Sequence, residues 1–210
     1  MKIALFGATG GTGRLVLAQA LAAGHSISAL ARDPSKLAAD PALGVVEGHM
    51  ADPAAIAAVL DGADAAIVAL GTTNRKANTE LSDATRLILA AMAQAGVTRS
   101  AWVTSIGCGD SLPQLKRFIF RELIVKRLAK EIWADKNRQE ALIQASPGQW
   151  TIVRPGGLRD EPAEVAPYQV IDGGAEQPAL IVSPRACVAD FLLKAVQDDA
   201  QARRTVCLFL

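Results

Sequence analysis

The chain has 210 residues, of which half are hydrophobic, and its formal net charge at pH 7 is +1. This length favours one domain with a sizeable core, and the near-neutral charge offers no case for binding nucleic acid or a membrane. Cys108, Cys187 and Cys207 lack metal-ligand spacing, so neither a zinc site nor a disulfide framework is predicted. There is no signal-peptide pattern and no apolar run of about 20 residues, so a cytoplasmic location is expected.

The first 25 residues read as a strand, a glycine turn and a helix. An apolar segment at 2–6 precedes the sequence Gly-Ala-Thr-Gly-Gly-Thr-Gly at 7–13, and good helix formers follow. Gly7 suits the tight turn that leaves the strand, Gly10 the approach of a pyrophosphate, and Gly13 close packing of the helix on the strand. The helix N-terminus would present unpaired N–H groups to the phosphates. A dinucleotide site is predicted, and a helix-entry loop without a ligand is the alternative.

Strand and helix signals alternate along the rest of the chain. Strands are predicted at 26–31, 44–47, 64–70, 99–104, 150–154, 168–171, 179–182 and 204–209, and helices at 53–60, 78–95, 113–145 and 184–197. This alternation predicts an α/β fold, Rossmann-like and doubly wound, with a mostly parallel sheet and helices on both faces. We expect a single NAD(P)-binding domain over 1–210, with about 155–183 forming the substrate side. Ligands of such sheets bind beyond the carboxyl ends of the strands.

Arg32 ends the second predicted strand, 19 positions after Gly13. A fold that prefers NAD has a carboxylate near this point, which bonds to the ribose 2′-hydroxyl. A guanidinium instead can bind a 2′-phosphate with two N–H groups. NADP(H) is therefore the predicted cofactor in preference to NAD(H). The alternative is a solvated arginine paired with Asp33.

Other strand ends supply further candidate contacts. Small residues at 71–74 would let the chain pass close to the cofactor, and hydroxyls at 104–105 would reach the nicotinamide or a substrate carbonyl. The turn at 155–157 would hold the nicotinamide carboxamide, although ordinary loop, cap and turn roles are the alternatives. The predicted cofactor-binding residues are Gly7, Thr9, Gly10, Gly11, Thr12, Gly13, Arg32, His49, Met50, Leu70, Gly71, Thr72, Thr104, Pro155, Gly156 and Gly157.

The usual acid of short-chain reductases is missing. Many of these enzymes use a tyrosine four residues before a lysine, and the lysine lowers the pKa of the phenol. Here the lysine position is Lys136, but Ile132 stands four residues before it, and the one tyrosine, Tyr168, lies beyond that helix. A Ser/His/Asp triad is poorly supported and no metal cluster is predicted. The candidate catalytic residues are Ser105 and Lys136.

The predicted long helix contains a basic amphipathic stretch at 115–130, in which lysines and arginines alternate with large apolar residues. A solvated face over a packed stripe is the first interpretation. A lid or a self-association surface, as in a homodimer, is the second, and a helix on a membrane surface is the least favoured.

These motifs together resemble the atypical short-chain dehydrogenase/reductase superfamily, in the NAD(P)H-binding group that includes NmrA-like proteins. Within it, the chain is most similar to the biliverdin reductase B, or flavin reductase, branch. The matching segments are 3–13, 31–33, 70–74, 104–105 and 172–173. The resemblance implies a phosphate cradle in the glycine turn, 2′-phosphate recognition by Arg32, cofactor contacts at 70–72 and a substrate-side hydroxyl on Ser105.

Three positions depart from that branch. Thr73 stands where the reductase has an arginine, and Gly157 stands where it has a histidine. His49 follows Gly48 after the third strand, where relatives commonly have aspartate. The first two changes lie on the substrate side, and the third alters the adenine pocket.

The predicted function is that of an NADPH-dependent oxidoreductase acting on a small-molecule acceptor. A flavin, a quinone or a similar conjugated ring system needs no protein acid, because its reduced form can take a proton from water. One alternative is a non-catalytic NADP(H)-binding sensor or regulatory protein of the NmrA type. Another is a sugar-nucleotide epimerase or reductase, a chemistry that depends most on the missing acid.

Overall fold

The computed structural model describes residues 1–116, 122, 125, 127–178 and 181–210. Within these residues the strands are β1 (Lys2–Phe6), β2 (Ser26–Ala31), β3 (Leu43–Glu47), β4 (Ala65–Val68), β5 (Arg99–Val103), β6 (Gln149–Pro155), β7 (Gly157–Arg159), β8 (Gln169–Asp172), β9 (Val182–Pro184) and β10 (Arg204–Phe209). The helices are α1 (Gly11–Ala22), α2 (Pro53–Leu60), α3 (Glu80–Ala95), α4 (Lys130–Ala145) and α5 (Arg185–Ala195).

Eight strands form one sheet in the order β3-β2-β1-β4-β5-β6-β10-β8. All neighbours are parallel except β10 and β8, so the predicted Rossmann-like, mostly parallel sheet is confirmed. Phe6 at the end of β1 pairs with Leu30 of β2 and Val68 of β4, which brings three strand ends to one edge. The strand order reverses between β1 and β4, the place where such sheets open a ligand crevice.

Helices cover both faces of the sheet, as predicted. On one face α1 packs against α5, and on the other α2 packs against α3 and α3 against α4. The alternation of side chains along β1 divides its residues between the two cores. Ile3 and Leu5 pack beneath α1 and α5, whereas Ala4 and Phe6 pack beneath the other three helices.

Local sequence signals set several helix ends. The Asp52 carboxylate accepts hydrogen bonds from the N–H groups of Ala54 (3.0 Å) and Ala55 (3.1 Å), which is the predicted cap of α2. Helix α3 ends at Gly96, whose φ of 71° lies in the left-handed region that glycine adopts readily. Both ends follow from contacts within a few residues, and the sequence therefore reveals them.

Helix α4 begins at Lys130, and the described residues 122, 125, 127 and 128 before it have π-helical geometry. The predicted helix over 113–145 is wrong at 113–116, which are not helical. The stretch before α4 is tied to the loop after β5: Leu115 and Val125 are buried with Ile106, and the Trp133 indole donates to the Ile106 carbonyl (2.9 Å). Half of the basic stretch at 115–130 lies outside the described residues, and its roles as lid or self-association surface stay predictions.

The short pair β7 and β9 was not predicted as a sheet. Gly157 pairs with Val182, and Arg159 pairs with Pro184, in a parallel two-stranded sheet beside the carboxyl end of β6. The predicted strand at 179–182 corresponds to β9, which begins at Val182, and residues 179–180 lie outside the described part of the chain.

Replacement of Gly13 by alanine should lower the free energy of unfolding by about 2–3 kcal/mol. A Cβ at Gly13 would lie 2.0 Å from the carbonyl oxygen of Gly7, which is backbone and cannot move aside. Gly44→Ala is the control, because its Cβ would meet only Ile27 O at 3.8 Å. Urea unfolding of the two variants measures the difference, and equal stabilities would contradict the tight packing of α1 on β1.

Candidate functional site

A cleft of about 440 Å³ opens at the carboxyl ends of β1, β2, β3 and β4. Eight of the predicted cofactor residues line it: Gly7, Thr9, Gly10, Arg32, His49, Met50, Leu70 and Gly71. The remaining lining residues are Leu30, Ala31, Gly48, Ala69, Glu80, Leu81 and Ala84. The fold thus gathers residues from five separate segments at the strand switch point, although their contact with a cofactor stays a prediction.

The glycine turn forms one end of the cleft. Gly10 donates its N–H to the Gly7 carbonyl (3.0 Å) and stands at the N-cap of α1 without a side-chain cap. No acidic residue occurs in the first turn of α1, so its positive end has no side-chain anion of its own. Thr12 and Gly13 are buried and do not line the cleft, and Gly13 serves the packing of α1 on β1 instead. The turn fits a phosphate group.

Arg32 lines the cleft just beyond the end of β2 and is exposed. Its alternative pairing with Asp33 is wrong: Asp33 accepts from the Ser35 hydroxyl (2.6 Å) and pairs with Lys36 (3.4 Å). The Ser35 bonds, helped by Lys36, hold the pKa of Asp33 below its usual value. Arg32 itself makes no ion pair with any residue in the described ranges, which leaves its guanidinium available to an anion.

The first turn of α3 supplies cleft residues that sequence reasoning missed, Leu81 among them. Thr79 stands at the N-cap but makes no side-chain cap bond. The carboxylate of Asp135 on α4, fully buried, accepts from the N–H groups of Leu81 (2.8 Å) and Ser82 (3.3 Å) and from the Ser82 hydroxyl (2.6 Å). A residue 54 positions away caps this helix, so no local signal could have revealed it.

Glu80 brings a carboxylate into the cleft and holds the loop that follows β4. It accepts hydrogen bonds from the Thr72 hydroxyl (3.0 Å) and from the Asn74 amide (2.8 Å). Thr72 was predicted to contact the cofactor, but its hydroxyl donates to Glu80 and it is not among the lining residues. The loop is therefore shaped by its contact with α3.

The end of β5 contains both candidate catalytic residues. The Thr104 hydroxyl is buried and donates to Glu140 (2.6 Å), and Thr104 is not among the residues that line the cleft, so its predicted contact with the cofactor stays a prediction. The Lys136 ammonium donates to the Thr104 carbonyl (3.1 Å), and burial lowers the pKa of Lys136. Ser105 is half-buried, and its hydroxyl makes no hydrogen bond with the described residues. Of the two hydroxyls at this strand end, only the one on Ser105 is not engaged by a described residue, and Ser105 is not among the residues that line the cleft.

The turn after β6 uses its backbone groups within the protein. The Gly156 N–H donates to the Ser183 hydroxyl (2.8 Å), and the Gly157 N–H donates to the Ile181 carbonyl (2.7 Å). The Pro155 carbonyl accepts from the N–H of Ile106 (3.0 Å). These three residues do not line the cleft, and the expectation that their N–H groups stay reachable is wrong, because the turn pairs β7 with β9.

A buried ion pair joins β6 to α4. Arg154 donates to both oxygens of Glu140 (3.0 and 2.7 Å), and both side chains are almost fully buried. Its third contact is with Asp110 in the loop after β5. Burial alone would lower the pKa of Arg154, but the bonds and charges of Glu140 and Asp110 outweigh burial and raise it. The pair fixes α4 and this loop against the sheet.

The tyrosine of the chain is engaged elsewhere. The Tyr168 hydroxyl donates to Asp190 on α5 (2.6 Å), and burial followed by the Asp190 contact raises the pKa of Tyr168. Ile132 occupies the turn of α4 before Lys136. The described residues contain no cluster of histidine, cysteine and carboxylate side chains suited to a metal ion. Nor does any helix among them have the length and apolar character to cross a membrane.

The sheet, its switch-point cleft and the glycine turn define a dinucleotide-binding Rossmann protein. A family model described as NAD(P)H-binding matches residues 7–199, and the chain belongs to this family. This match confirms the resemblance found in the sequence as far as membership of the NAD(P)H-binding family.

Similar proteins agree with this assignment. The uncharacterized sugar epimerase YhfK of Bacillus subtilis is 32% identical over 171 residues, which cover 77% of this chain and 74% of that protein. The structure of ChuY, an anaerobillin reductase from Escherichia coli O157:H7, is 27% identical, with a TM-score of 0.82 and coverage of 100% and 97%. A short-chain dehydrogenase/reductase from Veillonella parvula in complex with NADP shares the fold, with 16% identity, a TM-score of 0.85 and coverage of 100% and 94%.

Glu140→Gln should lower the free energy of unfolding by about 3–5 kcal/mol, because it removes the charge that compensates the buried Arg154. Asp83→Asn is the matched control, since Asp83 pairs with Arg86 on the exposed face of α3 and its loss should cost under about 1 kcal/mol. Urea unfolding gives both values. A Glu140→Gln variant as stable as the control would show that the pair contributes little.

Proposed function

We propose that the protein is an NADPH-dependent reductase that transfers hydride to a flavin, a quinone or a similar conjugated acceptor. The observation that carries this proposal is a cleft suited to a dinucleotide in a protein whose helix α4 lacks the usual tyrosine acid. Ile132 stands where the tyrosine would be, and Tyr168 is bonded to Asp190. The chemistry therefore has to suit an acceptor that needs no proton from a phenol.

The residues of the cleft fit NADPH. The uncapped N-terminus of α1 would bind the diphosphate through its N–H groups, and Arg32 would bind the 2′-phosphate. The apolar side chains of Leu30, Met50 and Leu81 would enclose the adenine. When bound there, the nicotinamide ring supplies the hydride.

The end of β5 would orient the acceptor. The Ser105 hydroxyl is suited to donate a hydrogen bond to a ring carbonyl, and Lys136 holds the backbone of Thr104 immediately before it. Lys136 thus acts as a positioning residue in this proposal. The acceptor's own ring takes its proton from water, so the protein needs only to hold the two rings in reactive geometry. The similarity to ChuY supports reduction as the class of reaction.

Anaerobic stopped-flow mixing of NADPH-loaded protein with FMN or a soluble quinone tests the proposal. We expect nicotinamide oxidation well above the rate in free solution, and a rate about tenfold lower in Ser105→Ala, the loss expected for one hydrogen bond. Ser26→Ala, an exposed serine at the start of β2, is the control. No oxidation above the free-solution rate on either acceptor, with NADPH tightly bound, would favour the sensor alternative.

A sugar-nucleotide epimerase is the second candidate, and the 32% identity to YhfK favours it. Incubation with nicotinamide dinucleotide and a panel of nucleotide sugars, followed by NMR of the sugar ring protons, would reveal inversion at a ring carbon. Because the described residues offer no phenol acid near Lys136, we expect no inversion.

Arg32→Gln should raise the Kd for NADPH about 10- to 100-fold and leave the Kd for NADH within about twofold. The range corresponds to the roughly 1.5–3 kcal/mol of a hydrogen bond between charged groups, and NADH lacks the 2′-phosphate. Titration of nicotinamide fluorescence gives both constants, with Arg86→Gln as the control for loss of a surface charge. Equal weakening of both nucleotides would exclude Arg32 as the residue that selects NADP(H).

A further inference from the structure

Arg185, the first residue of α5, lies directly beside the glycine turn. A Cβ built on Gly11 would be 2.8 Å from the Arg185 Nε and 3.0 Å from its Cδ. The side chain is 25% exposed, and its guanidinium pairs with the carboxylate of Asp160 at 2.8 Å. Arg185 is not among the residues that line the cleft, but it contacts Gly11, which directly follows the lining residue Gly10. A second cation, in addition to Arg32, therefore lies next to the glycine turn.

The position of Arg185 is fixed by packing. Helices α1 and α5 lie against each other, and the Gln19 amide of α1 donates to the Ala186 carbonyl of α5 (3.1 Å). Strand β9 leads directly into α5 and is paired with β7, which precedes Asp160. The guanidinium thus stands next to Gly11 because two helices and a strand pair hold its backbone there.

Next to the N-termini of α1 and α5, Arg185 has no buried carboxylate as its ion-pair partner among the described residues. Helix α1 starts at Gly11 and α5 starts at Arg185, and neither has a side-chain cap or an acidic residue in its first turn. A helix N-terminus carries a partial positive charge, so a guanidinium beside two of them is unfavourable unless an anion lies nearby. The ion-pair partner that the described residues give Arg185 is Asp160, whose side chain is 85% exposed. An exposed partner of this kind is readily exchanged for a ligand.

We propose that Arg185 is a diphosphate contact of the dinucleotide and that Asp160 holds its guanidinium when no dinucleotide is bound. This inference rests on the proposed function, because it assigns a second cation to the same ligand. The two arginines then divide the recognition. Arg32 responds to the 2′-phosphate that distinguishes NADPH from NADH, whereas Arg185 responds to the diphosphate that both nucleotides carry. Asp160 competes with the diphosphate for the guanidinium.

The experiment measures the Kd values of NADPH and NADH for the full-length protein and its variants by nicotinamide fluorescence. In Arg185→Gln both constants should rise about tenfold, so that their ratio stays that of the wild type. In Asp160→Asn both should fall about two- to fivefold, because the competing carboxylate is gone. Arg185→Lys, which keeps the charge but loses the planar fork, should lie between Arg185→Gln and the wild type.

Arg204→Gln is the matched control. Arg204 pairs with Asp172 at 2.7 Å in an equally exposed ion pair, but it lies at the start of β10, on the opposite edge of the sheet. Its loss should leave both constants unchanged. Melting curves establish that each variant is folded, and if Arg185→Gln is not, the comparison of Asp160→Asn with the wild type decides the proposal.

The outcomes separate the two proposals. Wild-type protein that binds neither nucleotide would overturn the proposed function itself. Wild-type protein that binds both, together with unchanged constants in folded Arg185→Gln, would overturn the role of Arg185 and leave the proposed function standing. If Arg185→Gln does not fold, unchanged constants in Asp160→Asn overturn the role of Arg185 in the same way. A change in the NADPH to NADH ratio would show that Arg185 reads the 2′-phosphate, which also contradicts the proposal.

Discussion

The contact between Gly13 and the Gly7 carbonyl is the constraint on which the rest of the site depends. It brings the first turn of α1 onto the end of β1 so closely that no side chain fits between them. The N-terminus of α1 therefore opens into the crevice between β1 and β4, where the strand order reverses. Helix α5 packs on α1, so the same contact also determines where Arg185 stands relative to the glycine turn.

On the other face, α4 orders the site through buried polar side chains. Asp135 caps α3 and so sets the wall of the cleft, Lys136 holds the backbone at the end of β5, and Glu140 binds Thr104 and Arg154. Each of these groups is satisfied within the protein, which is the condition for burying polar side chains at low cost. The helix that carries the acid–base pair in many related enzymes here supports the wall of the cleft and the end of β5.

The charges around the cleft are consistent with the proposed binding of a dinucleotide. Under the proposed function, Arg32, Arg185 and the N-terminus of α1 would contact the phosphates, and the Ser105 hydroxyl would donate to a ring carbonyl of the acceptor. Arg32 has no ion-pair partner among the described residues, and the partner of Arg185 is exposed, so an anionic ligand meets little competition at either guanidinium. A reductase that relies on proximity and orientation needs little more than a site that holds the dinucleotide and a rigid strand end that orients the acceptor.

The sequence by itself determined what depends on neighbouring residues. These local features are the glycine spacing, the Asp52 cap, the Gly96 stop and the alternation of strands and helices. They were enough to predict the fold, and half of the cofactor-binding residues predicted from the sequence do line the cleft. Tertiary structure alone decided the cap of α3 by Asp135, the use of the 155–157 turn in a strand pair and the approach of Arg185 to Gly11. Each of these joins residues far apart in the chain, and such contacts exist only once the sheet has brought its strand ends to one edge.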